Sequence, residues 1–186
     1  MRLFVSVDLP ADLAEPIRSI QSELREASGL RMIDPDQAHV TLKFLGSVEG
    51  DRLATLDDAL SDAVDRASVG PFHATLEGIG VFPSLEYINV VWVGIGDGAE
   101  EMRRLHESIE EETTAIGFDP EEHTFTPHVT IARMDHAGGK GLVQAYVEGA
   151  DPDLGTFPVG AVCLTESTLT ESGPSYSTVE RYPLEA

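Results

Sequence analysis

Leu3, Val5 and Val7 alternate along the first residues, the period of a strand with one buried face. Pro10 then opens an amphipathic helix, with Leu13, Ile17, Ile20 and Leu24 at helical spacing. Alternation returns over 38–45: Val40, Leu42 and Phe44 fall on one face, and His39, Thr41 and Lys43 on the other. This pattern assigns Phe44 to the core. A second helix is expected over 51–67, with its stripe at Leu53, Leu56, Leu60 and Val64. The segments 72–81 and 87–95 read as neighbouring strands joined at Phe82-Pro83-Ser84. A third helix over 98–116 turns Met102, Leu105, Ile109 and Ile116 inward, and Gly117 suits its C-terminal cap. Beyond it come a strand over 129–133, a short helix over 141–147, and two closing strands, 157–170 and 175–184, turned at Ser172-Gly173-Pro174.

Most of these strands return on their neighbours, which predicts an α+β fold with antiparallel sheets. No long linker divides residues 1–186, so a single domain is expected. Within it, His39-Val40-Thr41-Leu42-Lys43-Phe44 echoes His128-Val129-Thr130-Ile131-Ala132-Arg133, and each copy has helices and strands around it. The repeat predicts two interleaved lobes sharing one cleft, one carrying the motif at 39–41 and the other the motif at 128–130.

Charge changes the picture of the solvent rather than of the fold. Asp and Glu number 33 against 12 Lys and Arg, a net charge of −21, and only Lys43 and Lys140 are lysines. Such an excess repels itself in dilute salt, but at 1 M salt the Debye length shrinks to about 3 Å. The composition therefore points to a halophilic, salt-rich cytoplasm. It also argues against tight, extended nucleic-acid binding, which draws on Lys and Arg, while leaving room for an enzyme that accepts an RNA end. Cys163 is the single cysteine and stands in an apolar run, where a buried inert thiol is expected. The apolar stretch after Met1 is too short for a signal peptide, and no stretch is long enough to span a membrane, so a cytoplasmic location is expected. Nothing in the pattern calls for a protein partner, and a monomer is expected.

The candidate chemistry lies in the repeat. Residues i and i+2 of a strand share a face, so each His-x-Thr presents an imidazole beside a hydroxyl. Imidazole titrates near pH 6.5, so at neutral pH one such group can carry a proton while another does not. Across a phosphorus atom, one histidine can deprotonate water while the other protonates the departing oxygen. The hydroxyls of Thr41 and Thr130 can then donate to the non-bridging oxygens. Strand parity sets Lys43 on the face of His39, where it adds positive charge to the cleft, and sets Arg133 opposite His128. Arg133 then reaches a phosphate only if the strand twists or ends there. His123 and His128 lack a third ligand at metal-binding spacing, and no metal or other cofactor is expected. The run Gly138-Gly139-Lys140-Gly141 lacks the spacing of a phosphate loop and reads as a turn.

The paired motifs, with Arg2-Leu3-Phe4-Val5-Ser6-Val7, Gly80-Val81-Phe82-Pro83-Ser84, Val90-Val91-Trp92-Val93-Gly94 and Leu164-Thr165-Glu166-Ser167, resemble the 2H phosphoesterase superfamily. Within it the chain is most similar to the RNA 2′,3′-cyclic phosphodiesterases, also called 2′-5′ RNA ligases. The resemblance implies a bilobal, pseudo-twofold fold of two antiparallel sheets flanked by helices, with the active cleft between them. It implies metal-independent opening of a 2′,3′-cyclic phosphate, on an RNA end or a nucleoside, to a 2′-phosphomonoester, and 2′-5′ ligation in reverse. His39 and His128 are implied as the catalytic pair, and Thr41 and Thr130, joined by Arg133, as phosphate ligands. Either histidine can be drawn as acid or base. Alternatives within reach of the same residues are cleavage of ADP-ribose cyclic phosphate or of 2′-5′ oligonucleotides, or an RNA-end-binding module without turnover.

Overall fold

The computed structural model describes residues 1–185. Strand β1 (Arg2–Asp8) leads through a 3-10 turn at Ala11–Leu13 into helix α1 (Ala14–Glu23). A short strand β2 (Leu30–Met32) precedes β3 (His39–Ser47), helix α2 (Leu53–Ala67) and the hairpin β4 (Phe72–Pro83) and β5 (Ile88–Ile95). Helix α3 (Ala99–Ala115) is followed by β6 (His128–Met134), α4 (Lys140–Gly149), and strands β7 (Asp153–Val159), β8 (Ala161–Thr170) and β9 (Gly173–Pro183). The fold is α+β, in keeping with the alternation of patterns along the chain.

Every strand pairing among the described residues is antiparallel, in the order β7-β4-β5-β6-β3-β1-β8-β9, with β2 on β6. The order is symmetric about its middle. Each His-x-Thr strand, β3 or β6, is the inner strand of a four-stranded half. The two expected sheets are thus halves of one, joined where Val40 faces Val129. Past that pair β3 and β6 part, and β2 takes over the edge of β6 from Ala132 to Met134.

Two elements depart from the sequence reading. The single strand expected from Phe157 onward is two, because the chain pairs with β4 as β7 up to Val159 and then crosses to pair with β1 as β8. Strand β2 carries no sequence signal, since three residues are too few to show a period.

The apolar stripes of α1, α2 and α3, including Ile17, Leu56, Leu60, Met102, Leu105 and Ile109, pack into one core with Val40, Leu42, Val129 and Ile131. Each such side chain contributes roughly 1.5–3 kcal/mol by leaving water. The helices therefore claim one face of β3 and β6, and the other face is left to the histidines and threonines. Cys163 is buried, and desolvation, reinforced by Asp8, pushes its thiol up to about 11. No helix among the described residues is long and apolar enough to cross a membrane.

Candidate active site

His39, Thr41, His128, Thr130 and Arg133 all line one cavity of about 630 Å³ on the face away from the helices. Antiparallel pairing about Val40 and Val129 explains the convergence. Residues flanking a paired position point to the opposite side, so both imidazoles and both hydroxyls emerge together around that pair.

The strands then do something that simple alternation misses. On β3, Thr41 pairs with Ser6 and Lys43 with Val5, so Leu42 is an extra residue without a partner on β1. On β6, Thr130 pairs with Trp92 and Ala132 with Val91, which leaves Ile131 as the extra residue. These are β-bulges at matching positions of the two motifs, and each reverses parity for the residues beyond it. Leu42 and Lys43 are consequently both buried, as are Ile131 and Ala132, while Phe44 and Arg133 come out on the cleft side.

Three expectations are corrected by this. Arg133 is on the same side as His128 and lines the cavity with it. Phe44 is not core; it is 64% exposed. Lys43 does not charge the cleft, for its ammonium turns towards α3, donating to Glu110 at 2.8 Å and to the Asp119 carbonyl at 2.7 Å. Burial pushes the Glu110 carboxyl up, but hydrogen bonds from Lys43 and the Glu121 amide, with the charges of Lys43 and His106, hold it below the ordinary range. The ion pair ties the segment before β6 to α3, because Glu110 also accepts from the Glu121 amide at 2.6 Å.

A bulge interrupts the ladder around a buried carbonyl, which needs another donor. The helices supply a side chain to each, and at Ile131 the Ile33 N–H donates as well, at 3.0 Å. His106 on α3 lies with Nδ1 2.8 Å from the Leu42 carbonyl, and Gln21 on α1 donates Nε2–H to the Ile131 carbonyl at 3.0 Å and to the Ile33 carbonyl at 2.7 Å. Both side chains are buried. Neither stands out in the sequence, where a Gln and a His on helices carry no periodic signal.

The catalytic candidates are held by a shared device. His39 Nδ1 lies 3.0 Å from the Gln37 carbonyl, and His128 Nδ1 lies 2.6 Å from the Thr126 carbonyl. A carbonyl only accepts, so each Nδ1 carries the proton and each Nε2 is left to exchange one. His39 Nε2 is 3.0 Å from the Thr41 hydroxyl. The His39 ring stacks on Phe4 at 4.7 Å and meets the edge of Tyr176 at 5.1 Å. His128 meets Phe82 at 4.9 Å and Trp92 at 5.9 Å. Gly80 leaves room for the Trp92 ring, which a Cβ there would strike.

Electrostatics separate the two rings. Burial lowers the affinity of both for a proton. For His39 the hydrogen bond to Gln37 and the charge of Asp8 offset part of this, and His128 adds to it. For His128 the hydrogen bond to Thr126 opposes burial, while the Arg133 guanidinium lowers the value further. Among the described residues no three His, Cys, Asp or Glu side chains converge as metal ligands would.

The sheet order and this pair of histidines on facing strands define a phosphoesterase type of architecture, and the comparisons with known proteins agree. The sequence pattern of the 2'-5' RNA ligase superfamily matches residues 9–171, and the chain belongs to that superfamily. It is 35% identical over 151 residues to an RNA 2′,3′-cyclic phosphodiesterase of Aeropyrum pernix, covering 81% of this chain and 84% of that one. An RNA 2′,3′-cyclic phosphodiesterase of Methanothermobacter thermautotrophicus is 32% identical, with 99% of each chain covered. Among solved structures, TT0787 of Thermus thermophilus superposes with a TM-score of 0.80 at 29% identity, over 99% of this chain and 98% of that one. LigT of E. coli complexed with 3′-AMP gives 0.79 at 25%, over 98% and 97%.

Proposed function

We propose that this chain hydrolyses RNA 2′,3′-cyclic phosphate ends to 2′-phosphomonoesters by acid–base catalysis between His39 and His128, without a metal ion. The relatives from Aeropyrum pernix and Methanothermobacter thermautotrophicus carry the phosphodiesterase activity in their names. The observation that carries the reading is that both Nδ1 atoms are committed to backbone carbonyls, leaving two Nε2 atoms to serve one cavity.

His128 is the base and His39 the acid in this scheme. A base must be unprotonated at rest, and Arg133 disfavours the His128 imidazolium. An acid must hold its proton, and Asp8 favours the imidazolium on His39. The phosphate sits between the rings, its non-bridging oxygens accepting from Thr41, Thr130 and the Arg133 guanidinium. Water attacks phosphorus and gives its proton to His128 Nε2 while the bond to O3′ breaks. His39 Nε2–H, which rests against the Thr41 hydroxyl, transfers its proton to O3′. The Thr41 hydroxyl is then free to donate to the phosphate. Proton exchange with solvent resets both rings. Each of the two transfers is worth about 10²- to 10⁴-fold, and donors aimed at the growing charge add to this. With a 5′-hydroxyl in place of water, the same course forms the P–O5′ bond as P–O3′ breaks and joins two RNA ends through a 2′-5′ linkage.

The two halves of the sheet act as the lobes of one domain, each contributing one histidine. A nucleoside 2′,3′-cyclic phosphate incubated with the folded protein, chelator and high salt tests the reading. Turnover to the 2′-phosphate is expected. No turnover, or release of the 3′-phosphate, would overturn it.

A further inference from the structure

A second cavity, of about 440 Å³, opens beside the first and shares Thr41, Phe44, Phe82 and His128 with it. Its volume lies within the roughly 300–1,000 Å³ of small-ligand sites. Thr41 and His128, which it shares with the larger cavity, put it next to the place between the histidines where the proposed reaction sets the phosphorus. Its walls are Phe44, Phe82, Pro83 and Phe125, and its rim carries Glu121 and His123.

The charges define what enters. Lys43, the lysine at its wall, is neutralised by Glu110, and Glu121 adds a negative charge, so a phosphate group is unwelcome. A neutral, planar, partly polar group is suited to aromatic walls. Phe44 is the clearest sign: the bulge at Leu42 brings this ring out of the core to 64% exposure between the two cavities. It occupies on β3 the position that Arg133 occupies on β6, at the same spacing from its histidine. Arg133 lines only the larger cavity, whereas Phe44 lines both, with Phe125 further along the smaller one. The net charge of −21 removes the usual means of gripping an RNA backbone, and stacking of bases is the means that remains.

We propose that this cavity is a second nucleoside subsite, in which the base next to the cyclic-phosphate nucleoside stacks on Phe44. Phe44 then determines a preference for oligonucleotide ends over mononucleotides. This rests on the phosphodiesterase reading, and the test separates the two. The probes are a nucleoside 2′,3′-cyclic phosphate and a dinucleotide with the same cyclic end. For the unaltered protein kcat/KM is expected to be about tenfold higher for the dinucleotide, through KM, as one stacked base allows. In Phe44→Ala the ratio between the two substrates should fall to near one, and Phe44→Trp should keep it. Hydrolysis of both probes at equal efficiency by the unaltered protein overturns the subsite and leaves the activity standing. A ratio unchanged in Phe44→Ala overturns it as well. Hydrolysis of neither probe overturns the activity and the subsite with it.

Discussion

Val40 and Val129 face each other across the seam of the sheet, and the four polar groups of the two motifs are arranged around that pair. Both valines are completely buried, so the packed helices fix the position of the seam. A catalytic pair drawn from distant parts of the chain is aligned here by one backbone pairing.

Replacing either histidine tests the division of labour. His39→Ala and His128→Ala should each lower kcat by about 10²- to 10⁴-fold on a cyclic mononucleotide. Circular dichroism should show the fold retained, since both rings lie on the cleft side. Combining the two should cost much less than the product of the single losses, because the groups act as a unit.

The pH dependence of kcat/KM separates acid from base. Activity needs His128 neutral, so its titration sets the acidic limb; it needs His39 protonated, so that titration sets the alkaline limb. Burial lowers both values; Arg133 lowers the His128 value further, and Asp8 offsets part of the lowering at His39. Arg133→Met should therefore move the acidic limb to higher pH, and Asp8→Asn should move the alkaline limb to lower pH. Exchanged responses of the two limbs would assign the roles the other way.

Gln21 does not line the cleft, but it donates to the bulge carbonyl of Ile131. Gln21→Leu removes one of the two donors to that carbonyl, which still accepts from the Ile33 N–H at 3.0 Å, and also the bond to the Ile33 carbonyl. Each lost bond should cost about 0.5–1.5 kcal/mol in urea unfolding. If the bulge relaxes, Arg133 turns from the cavity, and the acidic limb of the pH profile should move as it does in Arg133→Met. A loss of stability with an unmoved limb would show that the bulge persists without Gln21.

Salt should stabilise the protein strongly. With −21 charges in 186 residues, the folded state repels itself at low ionic strength. Raising KCl from about 0.1 M to 1 M shortens the Debye length from roughly 10 Å to 3 Å. Tm should climb steeply over that range. A flat response would count against adaptation to a salt-rich interior.

Periodicity and the repeated His-Val-Thr are local properties, so the helices, most strands and the class of chemistry are legible in the sequence without coordinates. His39, Thr41, His128 and Thr130 are legible for the same reason: strand alternation holds from His to Thr in both motifs. It fails one residue later. Whether Lys43 and Ala132 or Phe44 and Arg133 face the cleft depends on the bulges at Leu42 and Ile131, and those exist because strands β1 and β5 skip a residue opposite them. Their buried carbonyls are satisfied by side chains from helices far along the chain. No local pattern contains that information. Packing of the whole chain settles it, by requiring that every buried carbonyl at the bend of a strand find a donor.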